Sequence, residues 1–414
     1  VAIGAVTLAS GQATINAGWG TAPVAGSTST LTLASLTRTG AATLVLNGTN
    51  GAINTTTNQV FVTAQPTLTG SAPNAILSYA LVTDAGGSDF LTTTGSGPFN
   101  LTHFANYATG GINGAAAGSV YKMTASETLT GNPSLTGLLV SGSNLALTGS
   151  ATTGFGSTLT LSGALLVAGG ANAVNVPTLA FGTAEGVVQT ATASTTTMNA
   201  QISGSGGLTV TGPGTLALNY ANPYTGTTAL NGGTLSLAHP AAVAGGTGAL
   251  ALNGGTLQAA YALAVANPYT LSTSAVTIGG SSNLTLSGAG TLSNLTAGLP
   301  AAFGSTLTVT NPGLTTLSGV VGGTGSLTFA GTGTTLLTGA STYSGGTYLT
   351  GGNLVLGASS NGGGTAGPVR FRYGADLLNL HELETILRRG LRPQHRHPYR
   401  IGLRFGALQQ TWQK

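Results

Sequence analysis

Apolar and small polar residues alternate along this chain in short pulses, such as LTV at 208–210, LAL at 216–218 and LSL at 235–237. Alternation with a period of two is typical of a β-strand that turns one face inward. Strands this short do not form stable sheets as isolated hairpins. The pattern therefore predicts a coiled chain in which each strand pairs with its equivalent one turn later.

One long phrase of this pattern occurs twice. Residues 206–238 read GGLTVTGPGTLALNYANPYTGTTALNGGTLSLA, and residues 325–357 read GSLTFAGTGTTLLTGASTYSGGTYLTGGNLVLG. When the two are superimposed, Tyr224 falls on Tyr343. Self-similarity of this kind indicates one small unit stacked many times.

A shorter repeated string predicts the length of one coil. The string ALNGGTL occurs at 229–235 and again at 251–257, which is a step of 22 residues. The Gly-Gly and Asn-Gly pairs between pulses supply the positive φ angles that tight corners need. At this step, residues 1–368 would form about 16 coils, a rod on the order of 80 Å long.

The predicted fold is all-β, a right-handed parallel β-helix with Leu, Val, Ile and Ala inside and Thr, Ser and Asn outside. An array of β-sandwiches is the alternative, although sandwich strands are longer and carry more aromatic residues. We divide the chain into an N-terminal β-helix region with irregular loops (1–130), a repeat-bearing β-helix (131–368) and a basic tail (369–414).

Composition supports this fold class. Charged residues make up 4% of the 414 residues, against roughly 25% in an ordinary globular domain, while hydrophobic residues reach 41%. Disordered chains combine low hydrophobicity with high net charge, so disorder is disfavoured. No apolar stretch is long enough to predict a transmembrane segment. The chain has no cysteine, which excludes disulfides and thiolate metal sites.

The basic tail has a different composition from the rest. Residues 1–368 sum to a charge of −2, and residues 369–414 sum to +6. Leucines at three- and four-residue steps predict a helix over 375–391. Three interpretations stay open: a cap that covers the last coil, an element that grips phosphate, lipopolysaccharide or nucleic acid, or a sequence translated out of frame.

The repeated phrase resembles the autotransporter-associated β-strand repeat, also called the passenger-associated transport repeat. The similarity is close over 203–238 and weaker over 322–357, and TGALALNGGTLQ between them resembles the unit that commonly follows such a repeat. The resemblance implies a bacterial exported passenger of β-helical form. It also implies an extracellular or cell-surface location.

Few residues are candidates for chemistry. Asp84 and Asp89 lie in TDAGGSDF, but a calcium loop needs six or more oxygen ligands, so a polar loop is the simpler expectation. His103 is not accompanied by a nucleophile motif, and nothing in the sequence pairs Glu127 with Glu185 as a glycosidase would need. We expect no catalytic, cofactor-binding or metal-binding residues, and therefore no cofactor.

Five tyrosines recur at the predicted corners of the coils. They are Tyr220, Tyr224, Tyr261, Tyr269 and Tyr343. Aromatic caps over the turns are the favoured interpretation, and a glycan-binding face is the alternative.

These observations predict a non-enzymatic extracellular protein, a stiff rod with a structural or adhesive role. We expect glycans, host or matrix surfaces, or other copies of the chain as partners, and no nucleic acid. One alternative is a self-assembling fibre subunit that polymerises through open coil ends into a filament. Another is a polysaccharide-active β-helix enzyme, which would need clustered acids and bases that residues 1–368 nearly lack.

Overall fold

A computed structural model describes residues 1–18, 27–53, 56–150, 156–272, 275–292, 304–357, 371–373, 376–378 and 404–405. The chain forms two compact units, Val1–Gly248 and Ala249–Lys414. Across these described ranges the regular structure is β, apart from a single 3-10 turn at Ala244–Gly246. The all-β prediction is confirmed.

The first eight strands of unit 1 form one sheet. They are β1 (Ala2–Leu8), β2 (Gln12–Gly18), β3 (Ser29–Arg38), β4 (Thr43–Thr49), β5 (Asn58–Val62), β6 (Ala80–Asp84), β7 (Gly87–Thr94) and β8 (Phe99–His103). Their order is β1-β3-β5-β8-β7-β6-β4-β2. The pairs β1/β3, β3/β5, β2/β4 and β4/β6 are parallel, whereas β7 and β8 pair antiparallel with each other and with β6 and β5.

This N-terminal sheet is a coil with two strands per turn, closed by the β7–β8 hairpin. Ala2 pairs with Thr32, 30 positions later, so the coil here is longer than the predicted 22 residues. Apolar side chains from both runs of strands meet inside it, among them Leu33 and Leu46, which are fully buried. A second core forms where Phe90 of β7 packs with residues of the strands that follow.

Fourteen further strands lie in the described part of unit 1. They are β9 (Val120–Met123), β10 (Glu127–Leu129), β11 (Ser134–Ser141), β12 (Ala146–Gly149), β13 (Thr158–Ala168), β14 (Ala171–Asn175), β15 (Thr178–Ala180), β16 (Gly186–Thr190), β17 (Thr195–Met198), β18 (Gln201–Ser203), β19 (Leu208–Thr211), β20 (Thr215–Leu218), β21 (Thr228–Leu230) and β22 (Thr234–Leu237). Neighbours within unit 1 follow the orders β10-β12-β14-β17-β20-β22 and β18-β15-β13-β16-β19-β21, with β11 on β13 and β9 on β11. The pairings among these strands are parallel.

The coil length in this stack varies around the predicted step. Gly186 pairs with Leu208, 22 positions later, but Leu208 pairs with Thr228, only 20 positions later. Corners of different length absorb the difference, since the strands themselves stay in parallel register. The alternating pulses turn inward as predicted, and Leu216 and Leu235 are fully buried.

Unit 2 repeats the same construction. Its strands are β23 (Leu250–Leu252), β24 (Thr256–Ala259), β25 (Leu263–Val265), β26 (Tyr269–Leu271), β27 (Ala275–Ile278), β28 (Leu284–Leu286), β29 (Gly290–Leu292), β30 (Ser305–Val309), β31 (Leu314–Leu317), β32 (Val321–Gly322), β33 (Leu327–Gly331), β34 (Thr334–Leu337), β35 (Thr347–Leu349), β36 (Asn353–Leu356), β37 (Phe371–Tyr373), β38 (Asp376–Leu378) and β39 (Arg404–Phe405). They stack in the orders β23-β26-β29-β32, β24-β27-β30-β33-β35-β37-β38 and β25-β28-β31-β34-β36-β39. The stacked parallel strands of each unit confirm a β-solenoid; its right-handed sense stays a prediction.

The helix predicted over 375–391 is not found where that segment is described. Asp376–Leu378 is strand β38, which pairs antiparallel with β37. Backbone pairing therefore overrides the leucine spacing there. The remainder of the predicted helix, and the boundary predicted at residue 368, lie outside the described residues.

Candidate functional site

The tyrosine shared by the two copies of the repeated phrase is part of the core. Tyr224 is 2% exposed, and its hydroxyl lies 2.5 Å from the hydroxyl of Thr228. Tyr343 is 1% exposed and makes the same 2.5 Å contact with Thr347. Burial raises the pKa of both phenols to about 12, so both stay neutral and hydrogen-bonded. These two side chains pack inside a corner of the coil and are not accessible to a ligand.

The five corner tyrosines thus separate into two classes. Tyr269 is buried like the two in the repeats, whereas Tyr220 is 54% exposed and Tyr261 is 50% exposed. Tyr224 and Tyr269 both stand in the string ANPYT and are buried, whereas the two exposed tyrosines stand in other contexts.

The structure brings Asp84, Asp89 and His103 together at the closed end of the N-terminal sheet. The Asp84 carboxylate is fully buried and accepts hydrogen bonds from three donors. These are the backbone N–H of Ile53 at 2.6 Å, the backbone N–H of Gly86 at 2.7 Å and Nε2 of His103 at 2.8 Å. Residues 85–87 form an exposed turn, in keeping with the predicted polar loop, while the Asp84 carboxylate at its start is buried and hydrogen-bonded.

The other side of the imidazole faces Asp89. Nδ1 of His103 lies 3.8 Å from Asp89 Oδ2, and the Tyr107 hydroxyl donates to Asp89 Oδ1. The Tyr107 ring packs edge-on against Phe104, and the Lys122 ammonium lies 5.4 Å from its centre. His103 thus lies between two carboxylates.

This cluster joins chain segments and does not have the arrangement of a metal centre. Within the described ranges, no group of three or more His, Cys, Asp or Glu side chains is placed to hold a metal ion. The two carboxylates accept hydrogen bonds from donors in five segments: the Ile53 turn, the β6–β7 turn, β7 itself, the end of β8 and the Tyr107 loop. We call this cluster of Asp84, Asp89, His103 and Tyr107 the clamp, because its hydrogen bonds hold separate segments of the chain together.

We expect the clamp to weaken as pH rises. The Asp89 and Asp84 carboxylates hold the pKa of His103 above its ordinary value, against the opposing effect of partial burial. The folded state therefore binds the proton more tightly than the unfolded state does. The stabilisation that protonated His103 gives the folded state is complete below the ordinary pKa of about 6.5, and it is lost as pH passes through the higher folded pKa.

Urea unfolding followed by circular dichroism at several pH values between 5 and 9 would measure this effect. The difference in unfolding free energy between wild type and His103→Gln should shrink steadily toward high pH, since glutamine does not titrate. Wild-type and variant profiles that run parallel over the whole range would contradict the clamp.

A second charged site lies where the N-terminal sheet meets later coils of unit 1. Arg38 forms two hydrogen bonds with Glu185, at 2.6 and 2.8 Å, and its Nε donates to the Ala42 carbonyl at 2.5 Å. The Arg38 guanidinium also lies 5.1 Å from the centre of the Tyr79 ring, and Thr209 donates to Glu185. The two partners are 147 positions apart, and no sequence pattern signals their pairing.

Glu127 and Glu185 do not act as a pair. Glu185 is held by Arg38, while Glu127 accepts from the Tyr121 hydroxyl at 2.5 Å and from the Ile112 N–H at 2.8 Å. Each carboxylate has its own set of partners inside unit 1. Neither set resembles the two facing carboxyl groups of a glycosidase.

A cleft of about 610 Å³ runs beside the Arg38–Glu185 pair. Its walls are mainly small and hydroxyl-bearing residues. They include Ser35, Thr37, Thr67, Thr69, Ser78 and Ser162. Three Arg38 N–H groups and both Glu185 carboxylate oxygens are hydrogen-bonded within the protein. The other walls of the cleft therefore offer mainly hydroxyl groups.

Comparison with known proteins places the repeated phrase in a family. The model of the passenger-associated-transport-repeat matches residues 208–237 and 327–356. The chain carries two passenger-associated-transport-repeats. The first repeat begins with β19 and ends with β22, and the second begins with β33 and ends with β36. Each passenger-associated-transport-repeat therefore contains one buried Tyr–Thr corner, at Tyr224 and at Tyr343.

The chain that bears these passenger-associated-transport-repeats is also similar to a curated adhesin. It is 31% identical over 228 residues to the Adhesin BmaC autotransporter of Brucella suis biovar 1 (strain 1330). The aligned region is 53% of this chain, and the chain spans about 6% of the length of that relative. No solved structure matches the chain. In the part of the chain that the structure describes, no helix has the length and apolar character to cross a membrane.

Proposed function

We propose that this chain is part of a bacterial surface passenger with a structural or adhesive role and no enzymatic activity. The observation that carries the proposal is the pair of passenger-associated-transport-repeats, together with the similarity to an autotransporter adhesin. Both features lie on a β-solenoid, an architecture that provides extended surfaces for binding.

The partners and the burial of the charged side chains support a non-enzymatic role. Up to residue 357 the chain has six charged residues, and each has a partner inside the protein. None of the six is among the exposed residues. General acid–base chemistry needs carboxyl groups that reach a substrate, and these carboxyl groups are already engaged. What remains for contact with a surface is hydroxyl, amide and apolar groups.

Adhesion through such groups should depend little on salt. Beads coated with the purified full-length chain should bind immobilised extracellular matrix several-fold better than albumin-coated beads, at both 0.15 and 0.5 M NaCl. Salt at these concentrations screens exposed charges over about 10 Å or less, so contacts made by the basic tail would be lost at the higher concentration.

Beads coated with heat-denatured chain are the control for non-specific adsorption. Binding equal to that of albumin beads, or binding that disappears at 0.5 M NaCl, would contradict the proposed adhesive role.

A further inference from the structure

A shallow groove of about 390 Å³ lies along the corners of successive coils in unit 1. Pro177 comes just before β15, Tyr220 comes just after β20 and His239 comes just after β22. The remaining lining residues are Asn199, Gln201 and Ala221. Corners of consecutive coils therefore supply one side chain after another, at steps close to the coil length. The volume falls in the range of small-molecule sites, about 300–1,000 Å³.

Tyr220 gives the groove an aromatic surface. The residue is 54% exposed, although Tyr224 in the same repeat is buried. A large aromatic side chain left open to solvent is typical of binding surfaces, where a rigid ring offers contact area at low cost in conformational entropy.

Amide groups run along the coils beside this ring. The Asn199 amide donates to Asn175 at 2.8 Å, and the Asn219 amide donates to Asn199 at 2.7 Å. The ladder fixes the orientation of the Asn199 side chain within the groove. Gln201 is exposed in the same groove and provides both a donor and an acceptor.

His239 adds one directed donor. Its Nδ1 accepts a hydrogen bond from the Ala241 backbone N–H at 3.0 Å. In the neutral imidazole the proton therefore resides on Nε2, which is left to donate.

The chemistry of the groove selects a class of ligand. No Lys, Arg, Asp or Glu is among its lining residues, so it lacks the cations that phosphate or sulfate groups require. An aromatic face combined with neutral donors and acceptors complements a sugar, which has an apolar C–H face and hydroxyl edges. We propose that this groove binds neutral oligosaccharides, with Tyr220 stacked on a sugar ring and Gln201, Asn199 and His239 bonded to its hydroxyls. The inference rests on the proposed adhesive function and names its ligand class.

Saturation-transfer NMR and calorimetry on the full chain would test the site. The probes are maltotetraose, cellotetraose, mannotetraose and the N-acetylglucosamine tetramer, with sialyllactose and a heparin hexasaccharide as charged comparisons. We expect at least one neutral probe to bind, with saturation strongest on the C–H face of one ring. Tyr220→Ala should raise its Kd at least tenfold, Tyr220→Phe should keep it within twofold, and Gln201→Ala should raise it about threefold.

Tyr261→Ala is the matched control, since it removes a tyrosine of nearly equal exposure that does not line the groove. Its Kd should equal that of the wild type, and thermal melts should show that all variants are folded. Unchanged binding by Tyr220→Ala, binding of the charged probes alone, or no binding of any neutral probe by the wild type would overturn the site. If coated beads still adhere in such a case, the adhesive function stands without this groove. If sugars bind through Tyr220 and beads do not adhere, the site stands and the adhesive function fails.

Discussion

Replacing Gly212 with alanine is expected to lower the free energy of unfolding by about 2–5 kcal/mol, the sum of a backbone cost and a packing cost. Gly212 has a φ of +88°, a conformation that residues with a Cβ adopt only under strain. A Cβ at this position would lie 2.2 Å from the carbonyl oxygen of Thr190 in the preceding coil. Since that oxygen also accepts the N–H of Gly214 from the next coil at 3.0 Å, the two coils would have to separate.

A comparison with Gly118→Ala separates the backbone cost from the packing cost. Gly118 has a similar φ of +76°, but a Cβ there meets no atom within 4 Å. Its substitution should cost only about 1 kcal/mol, because the backbone strain remains and the clash is absent. Urea unfolding followed by circular dichroism compares the two variants. Equal losses would show that coil spacing does not depend on the glycine.

The same position in the second repeat shows why the sequence could predict these corners. Gly331 has a φ of +95°, and its added Cβ would lie 2.2 Å from the carbonyl of Val309. Coil stacking imposes one local geometry on every turn, so a glycine recurs wherever that geometry recurs. Alternating pulses are local signals, and the parallel stacked strands predicted from them are confirmed. Of the predicted corner pairs, the Gly-Gly pairs have a positive φ at their second glycine, as at Gly233, Gly255 and Gly352.

Contacts between distant coils could not be predicted in this way. Gln12 accepts hydrogen bonds from the Thr211 hydroxyl at 2.8 Å and from the Gly212 N–H at 2.7 Å, about 200 positions away. The Thr43 and Thr211 hydroxyls lie 2.7 Å apart. Threonine is common throughout this chain, and no spacing marks the few threonines, or the glutamine, that meet. The docking of the N-terminal sheet on later coils of unit 1 therefore emerges only in three dimensions.

The candidate sites likewise include features that the sequence could predict and features that it could not. The sequence drew attention to Asp84 and Asp89 as a polar loop and to His103 separately, and it could not predict that the three side chains meet because it contains no information on burial. The antiparallel β7–β8 hairpin places His103 opposite Leu91, and this pairing carries the imidazole back toward the β6–β7 turn. The helix predicted in the tail was wrong at Asp376–Leu378, since leucine periodicity alone does not exclude strand pairing.

Asn222→Ala should destabilise the protein by about 2–6 kcal/mol, because it leaves two buried backbone groups without a partner at about 1–3 kcal/mol each. Asn222 is 1% exposed and lies in the first repeat. Its Oδ1 accepts from the Ile202 N–H at 2.7 Å, and its Nδ2 donates to the Ala242 carbonyl at 2.7 Å. One amide thus joins the coil before it to the coil after it, beside the few backbone hydrogen bonds that link the coils at this corner.

The second repeat provides a comparison for this amide. Ser341 stands at the equivalent position, and its hydroxyl accepts from the Val321 N–H at a longer 3.3 Å. Ser341→Ala should therefore cost less, about 1 kcal/mol. Asn219→Ala, at a half-buried amide of the same corner, should cost no more than about 1 kcal/mol. Chemical denaturation of the three variants gives the ranking. If Asn222→Ala loses no more stability than Asn219→Ala, the coils are held together by strand ladders and core packing alone, and the amide is dispensable.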